Sequence, residues 1–188
     1  DLSFHNSIKL KQVVLSDVGL KGVILNVAQV FIDAYKNGNC SRFCGNGGSA
    51  GDAQHIAAEL SGRFYFDRPP LDSEALHVNA SYVTAVANDY SYDVIYERMV
   101  QAQGKAGDIL VGISTSGNSK NVLLAMKKAK ELGLKTVAFT GEGGGAMAEY
   151  ADFLIAIPSN DTPRIQEVHI LVGHIICQIV EEELFGKK

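Results

Sequence analysis

Two short runs, Ile109-Leu110-Val111 and Phe153-Leu154-Ile155-Ala156-Ile157, are apolar without interruption, and they constrain the fold more than any other feature. A strand with one wet face alternates apolar and polar residues. A strand that is apolar on both faces needs cover on both, which is the situation of a parallel sheet between two layers of helices. The neighbouring segments follow the matching order. An apolar run at 42–44 passes through a Gly-rich turn into a helical pattern at 50–61, then a run at 75–78. The order repeats with strand patterns at 108–113 and 135–140, helical patterns at 121–132 and near 146–150, and a strand at 153–157. The expected fold class is α/β: a doubly wound, mostly parallel five-stranded sheet flanked by helices. Ligands of such sheets sit beyond the carboxyl ends of the strands, which directs attention to the loops 45–49, 114–119 and 140–145.

The 188 residues suit one domain, 1–188, with 1–38 as an amino-terminal helical segment. In that segment apolar residues recur at helical spacing until Asn37-Gly38-Asn39, interrupted near Gly19 to Gly22, so one broken or two short helices are expected. A last long helix is expected from about Pro163 to Gly186. Seventeen basic residues against 21 acidic give a net charge of -4, without the basic excess of a nucleic-acid binder. No stretch reaches the roughly 18 uninterrupted apolar residues of a membrane span, and the start DLSFHNSIKLK lacks an apolar signal core. A cytoplasmic chain without nucleic-acid or membrane partners is expected. Cys40, Cys44 and Cys177 are odd in number and lack metal or redox spacing, so buried free thiols are expected.

Ser114-Thr115-Ser116-Gly117-Asn118-Ser119 follows a buried strand and opens a helix, where orphan N–H groups and the helix dipole favour an anion. Its four hydroxyls exceed what capping needs, although Ser119 alone would serve as an ordinary N-cap. Gly45-Asn46-Gly47-Gly48-Ser49 also joins strand to helix and can admit a ligand or simply form a tight turn. Gly143-Gly144-Gly145 reads as a flexible turn. None of these loops matches a nucleotide-binding fingerprint.

His55 and Glu59 lie four apart on the helix after the first loop, on one side of it, with Asp52 placed to orient His55 or to serve the helix start. The last helix carries Gln166, Ile170 and His174 along one stripe in apolar surroundings. His55, Glu59, Gln166 and His174 can meet as a site for a borderline divalent ion such as zinc. They also suit metal-free proton transfer by Glu59 and His174. The bland alternatives are a surface His/Glu pair and a hydrogen-bonded core histidine. His5, His77 and His169 are given no catalytic role. Asn88-Asp89 can bind sugar hydroxyls or end a helix, and Arg63 can contact phosphate or form a surface ion pair.

The segments CGNGGSAGDAQHIAAELSGR, NDY, GISTSGNS and TPRIQEVHI, with a histidine eight residues after Gln166, resemble the sugar isomerase (SIS) domain family. Within it they are most similar to the bacterial branch that interconverts sedoheptulose 7-phosphate and D-glycero-D-manno-heptose 7-phosphate. The likeness runs from about Cys44 to Phe185. It implies a flavodoxin-like three-layer sandwich, an aldose-ketose isomerase, one zinc per subunit, a phosphorylated seven-carbon sugar as ligand, and a homotetramer. It also implies heptose supply for lipopolysaccharide or capsule. By the resemblance, Ser114, Thr115, Ser116 and Ser119 hold the phosphate, and Asn46, Gly47, Gly48, Ser49, Asn88 and Asp89 line the sugar site. His55, Glu59, Gln166 and His174 form the metal site, with Glu59 and His174 as acid-base residues. The sequence departs from the family at His77-Val78-Asn79, where a carboxylate is usual. A regulatory branch of the family lacks the Glu and His pair. A non-catalytic phosphosugar- or partner-binding module is therefore the alternative.

Overall fold

The computed structural model describes residues 2–186. The amino-terminal helical segment is divided at Asp17 into α1 (Leu2–Ser16) and α2 (Val18–Lys36). Asp17 leaves helical geometry and its carboxylate accepts from the Leu20 amide at 2.9 Å, so the break is an N-cap. Gly19 and Gly22, where the sequence pattern weakens, lie inside α2.

The chain then alternates β1 (Ser41–Gly45), α3 (Gly48–Ser61), β2 (Ser73–Ala75), α4 (Ala80–Asp89), α5 (Ile95–Gln103), β3 (Ile109–Ser114), α6 (Lys120–Glu131), β4 (Lys135–Thr140), β5 (Phe153–Ala156) and α7 (Thr162–Phe185). Short 3-10 turns occupy Tyr92–Val94 and Gly145–Tyr150. All strand pairs are parallel, in the order β2-β1-β3-β4-β5. The expected doubly wound α/β fold is thus present, with the flavodoxin-like order, whose switch point lies between β1 and β3.

Successive side chains of β3 serve opposite faces. Ile109, Val111 and Ile113 join a core with residues of α1, α2, α3 and α7, while Leu110 joins a second core under α4, α5 and α6. Gly112 lets α6 approach closely, since a Cβ there would lie 2.8 Å from Val122 and 3.0 Å from Met126. The three cysteines are buried and free.

Two expectations need correction. The strand placed at 75–78 ends at Ala75, because Asn79 begins α4 by accepting from the Tyr82 amide. Helix α4 ends at Asp89, as one of the two readings of Asn88-Asp89 has it, but its start and the whole of α5 have no counterpart in the sequence pattern. In α4 only Val86 is buried, which leaves little apolar periodicity to detect. Helix α2 is long and apolar enough to cross a membrane by length and composition, but Ile24, Val27, Ala28, Phe31 and Ile32 spend that apolar face on the core.

Candidate active site

The loops after β1 and β3 meet at the switch point. Asn46 Nδ2 donates to Asn121 Oδ1 and Asn121 Nδ2 donates to Asn46 Oδ1, each at 2.8 Å. Tyr92 adds a hydroxyl donor to Asn46 Oδ1 at 3.1 Å. Glycine is required at two neighbouring positions. A Cβ on Gly45 would lie 2.6 Å from the Ser49 carbonyl oxygen, and one on Gly48 would lie 2.6 Å from Gln166 Nε2. Gly47 turns the chain at φ +56, and Ser49 is buried in the first turn of α3.

In the second loop the hydroxyls of Ser114 and Ser119 are 2.8 Å apart and those of Ser114 and Ser116 are 3.4 Å apart. Ser119 occupies the N-cap position of α6, yet its side chain makes no cap hydrogen bond. Capping therefore does not account for this hydroxyl, which joins the Ser114 cluster at the start of α6, where a helix terminus favours an anion. The Thr115 carbonyl accepts from the Gly141 amide at 2.9 Å. The loop 141–145 braces this turn instead of acting as a free flexible segment. A Cβ on Gly117, at φ +66, would collide with the Gly144 carbonyl, and one on Gly145 would lie 2.5 Å from the Ser116 carbonyl oxygen.

A second cluster lies along the seam between α3 and α7. His55 Nε2 is 3.1 Å from Glu59 Oε1 and 3.1 Å from His174 Nε2. One ligand atom from each of the three residues lies within 4.8 Å of the others. Two ring nitrogens turned on each other need a shared proton or a shared cation between them. Tetrahedral Zn–N bonds of about 2.0–2.1 Å would set two nitrogens roughly 3.3 Å apart, so the donor set fits such an ion in type and spacing. Gly173, opposite Ile56, lets the two helices approach, since a Cβ there would collide with the Ile56 side chain. The Phe64 ring lies 5.7 Å from the His174 ring.

Asp52, one turn before His55, does not hydrogen-bond it. Its Oδ2 is buried without a partner, and burial pushes the carboxyl up to about 6, with His55 opposing. Of the expected metal set, three residues converge, while Gln166 lies at the other end of the seam with its amide against Gly48. Asn88 and Asp89 end α4, exposed, with Asn88 donating to Asp89 at 2.8 Å. Arg63 is exposed just past the end of α3. Asn79, the departure from the family pattern, is the N-cap of α4, a task an amide performs as well as a carboxylate. His169 is fully buried, its ring nitrogen 3.0 Å from the Thr140 carbonyl. Asn121 and Tyr92 escaped the sequence reading. An Asn just inside a helix start carries no signal of a partner 75 positions away.

With that geometry in place, comparison with known proteins is specific. A SIS domain family model matches residues 8–141. A phosphoheptose isomerase of Clostridium acetobutylicum is 53% identical over 188 residues, covering 100% of this chain and 96% of that protein. Phosphoheptose isomerase 2 of Campylobacter jejuni is 54% identical over 98% of this chain and 92% of its own length. A solved phosphoheptose isomerase structure from Neisseria gonorrhoeae superposes with a TM-score of 0.90 at 40% identity, covering 96% of each chain. One from Francisella tularensis gives 0.91 at 35% identity, over 96% and 95%. The chain belongs to the SIS domain family. Within that family its likeness over the full length is to the phosphoheptose isomerases, so it stands among the enzymes of the family and not among its silent binding modules.

Proposed function

We propose that this chain interconverts sedoheptulose 7-phosphate and D-glycero-D-manno-heptose 7-phosphate through an enediol. The observation that carries this reading is the approach of Glu59 and His174 across the α3–α7 seam, with His55 between them. Once the sugar ring has opened, Glu59 takes the proton from C1 of the ketose and returns it to C2. His174 moves a proton between the oxygens, so that O2 is protonated as the enediol forms and O1 loses its proton as the aldehyde appears. Each group ends the cycle as it began. Bound zinc, held by His55, Glu59 and His174, would supply Lewis-acid polarisation of the carbonyl, while Gln166, whose amide lies against Gly48, would serve the sugar and not the ion. Ser114, Thr115, Ser116 and Ser119 hold the phosphate, far from the reacting carbons, where its binding energy orients the chain. Asn46, Gly47, Gly48, Ser49, Asn88 and Asp89 line the sugar.

The reading takes residues 1–188 as one SIS domain, with 1–38 as its helical segment. The shared core of α1 and α2 with the sheet supports it. The reading also takes the assembly to be a homotetramer with sites between subunits, as the resemblance implies. The same reading places the enzyme in a bacterial cytoplasm, supplying heptose for lipopolysaccharide or capsule.

The test is proton NMR of sedoheptulose 7-phosphate with the purified protein, before and after chelation and on adding zinc. New anomeric signals of the aldoheptose phosphate support isomerisation. Saturable binding without conversion in every metal condition contradicts it. Thermal unfolding gives an independent metal readout: zinc raises the midpoint of the wild type and not of His174→Gln, by about 2.7 kcal/mol of stability at 100 times its Kd.

A further inference from the structure

Beyond His174 and Glu59 the α3–α7 seam is closed by a buried ion pair. Arg68 Nε donates to Glu181 Oε1 at 2.9 Å, with each side chain 1% exposed. Glu181 also accepts the backbone amides of Phe64 at 2.9 Å, Tyr65 at 2.5 Å and Phe66 at 3.0 Å. Burial opposes its charge, but these four donors outweigh burial and hold the carboxyl below its ordinary value. The guanidinium uses its other donors on the end of α3. Its Nη2 donates to the Glu59 carbonyl at 2.9 Å, and its Nη1 to the Leu60 carbonyl at 2.9 Å and the Pro69 carbonyl at 3.0 Å.

The arrangement ties both acid-base residues to one anchor. The carbonyls of Glu59 and Leu60 belong to the last turn of α3 and have no intrahelical partner, so Arg68 caps the turn that bears the Glu59 carboxylate. Glu181 lies seven residues after His174, two turns along the same face of α7. Phe64, whose amide is held by Glu181, sets its ring beside that of His174. Two charges taken out of water gain little over a well-packed apolar pair. What they add here is direction, since a guanidinium fork meets one carboxylate and several carbonyls at fixed angles.

We propose that Arg68 and Glu181 are positioning residues for the proton-transfer pair: they fix the last turn of α3 against α7 so that Glu59 and His174 face one substrate. This rests on the reading of Glu59 and His174 as the acid-base groups. Arg68→Lys keeps the charge but cannot fork between Glu181 and the two carbonyls, and Glu181→Gln keeps the shape but weakens every bond it accepts. The control is Leu134→Ala, a core truncation under the opposite face of the sheet.

The experiment measures kcat and KM for sedoheptulose 7-phosphate, the unfolding midpoint, and the imidazole signals in long-range proton–nitrogen spectra. For both variants kcat falls about 10- to 100-fold, as small misplacements of reacting groups do, while KM stays within about threefold. The His55 and His174 signals shift and the His77 signal does not. Leu134→Ala loses thermal stability with kcat within about twofold of wild type. Wild-type kcat in Arg68→Lys and Glu181→Gln, or a kcat loss matched by Leu134→Ala, would overturn the positioning role. Absence of turnover in the wild type would overturn the underlying acid-base reading, and this role with it.

Discussion

Asn46 and Asn121 exchange two hydrogen bonds of 2.8 Å, joining the loop after β1 to the first turn of α6. Because Asn121 is buried and its Oδ1 also accepts from the Val122 amide at 3.0 Å, its amide has one usable orientation. Asn121→Asp keeps the shape and replaces the donor to Asn46 by an acceptor. We expect a loss of about 1–3 kcal/mol at pH 7, the cost of setting two acceptors together in a buried place. Burial raises the new carboxyl's pKa above its unfolded value, so the deficit is present above the folded-state pKa and shrinks as pH falls through it. Urea unfolding of wild type and variant at pH 7 and pH 5 measures both effects. A deficit that grows toward pH 5 would contradict the pairing.

Ser119 separates ligand binding from helix capping. Since its hydroxyl contacts Ser114 and makes no cap bond, Ser119→Ala is expected to change stability by less than the roughly 1 kcal/mol of a lost N-cap. Loss of a hydrogen bond to a charged phosphate is expected to raise KM roughly 10- to 100-fold, from about 1.5–3 kcal/mol. Steady-state kinetics beside thermal unfolding decides the matter. Unchanged KM with a clear loss of stability would make Ser119 a cap and nothing more.

His169 gives the fold a pH dependence. Burial pushes its imidazole down to about 4, against the partial support of the Thr140 carbonyl. The unfolded chain therefore binds more protons between pH 4 and about 6.5, and the folded state loses stability as pH falls through that window. Its contribution is intact above about pH 6.5 and about 2 kcal/mol smaller at pH 5. His169→Gln removes this slope. Comparing the two proteins at pH 7 and pH 5 by urea unfolding isolates it from Asp52, whose raised pKa acts in the opposite direction. Parallel pH profiles would show that His169 titrates normally.

The sequence made the sheet legible because a doubly covered strand leaves a run such as 153–157 with no polar interruption. It made the β3 loop legible because hydroxyls accumulate at a strand-to-helix turn, and His55 with Glu59 because helical spacing is local. What it concealed was settled at long range. Arg68 and Glu181 are 113 positions apart, and each alone reads as a surface charge. Only the end of α4 was legible, at Asn88-Asp89, because most of its side chains are exposed and Val86 alone is buried. Asn79 stands out in the sequence only as an amide where the family has a carboxylate, whereas its neighbours make it a helix cap. The break at Asp17 was displaced to the nearby glycines because glycine is the more conspicuous disruptor of a helical pattern.

The most direct test of the proton-transfer assignment compares wild type with Glu59→Gln on sedoheptulose 7-phosphate in deuterated water, following conversion and deuterium at C2 by proton NMR while binding is measured by calorimetry. The wild type is expected to form aldoheptose phosphate carrying deuterium at C2. Glu59→Gln is expected to bind the sugar phosphate with similar affinity and convert it roughly 100- to 10,000-fold more slowly, the range that general-base catalysis contributes. A Glu59→Gln protein that converts the sugar at nearly the wild-type rate would contradict the account.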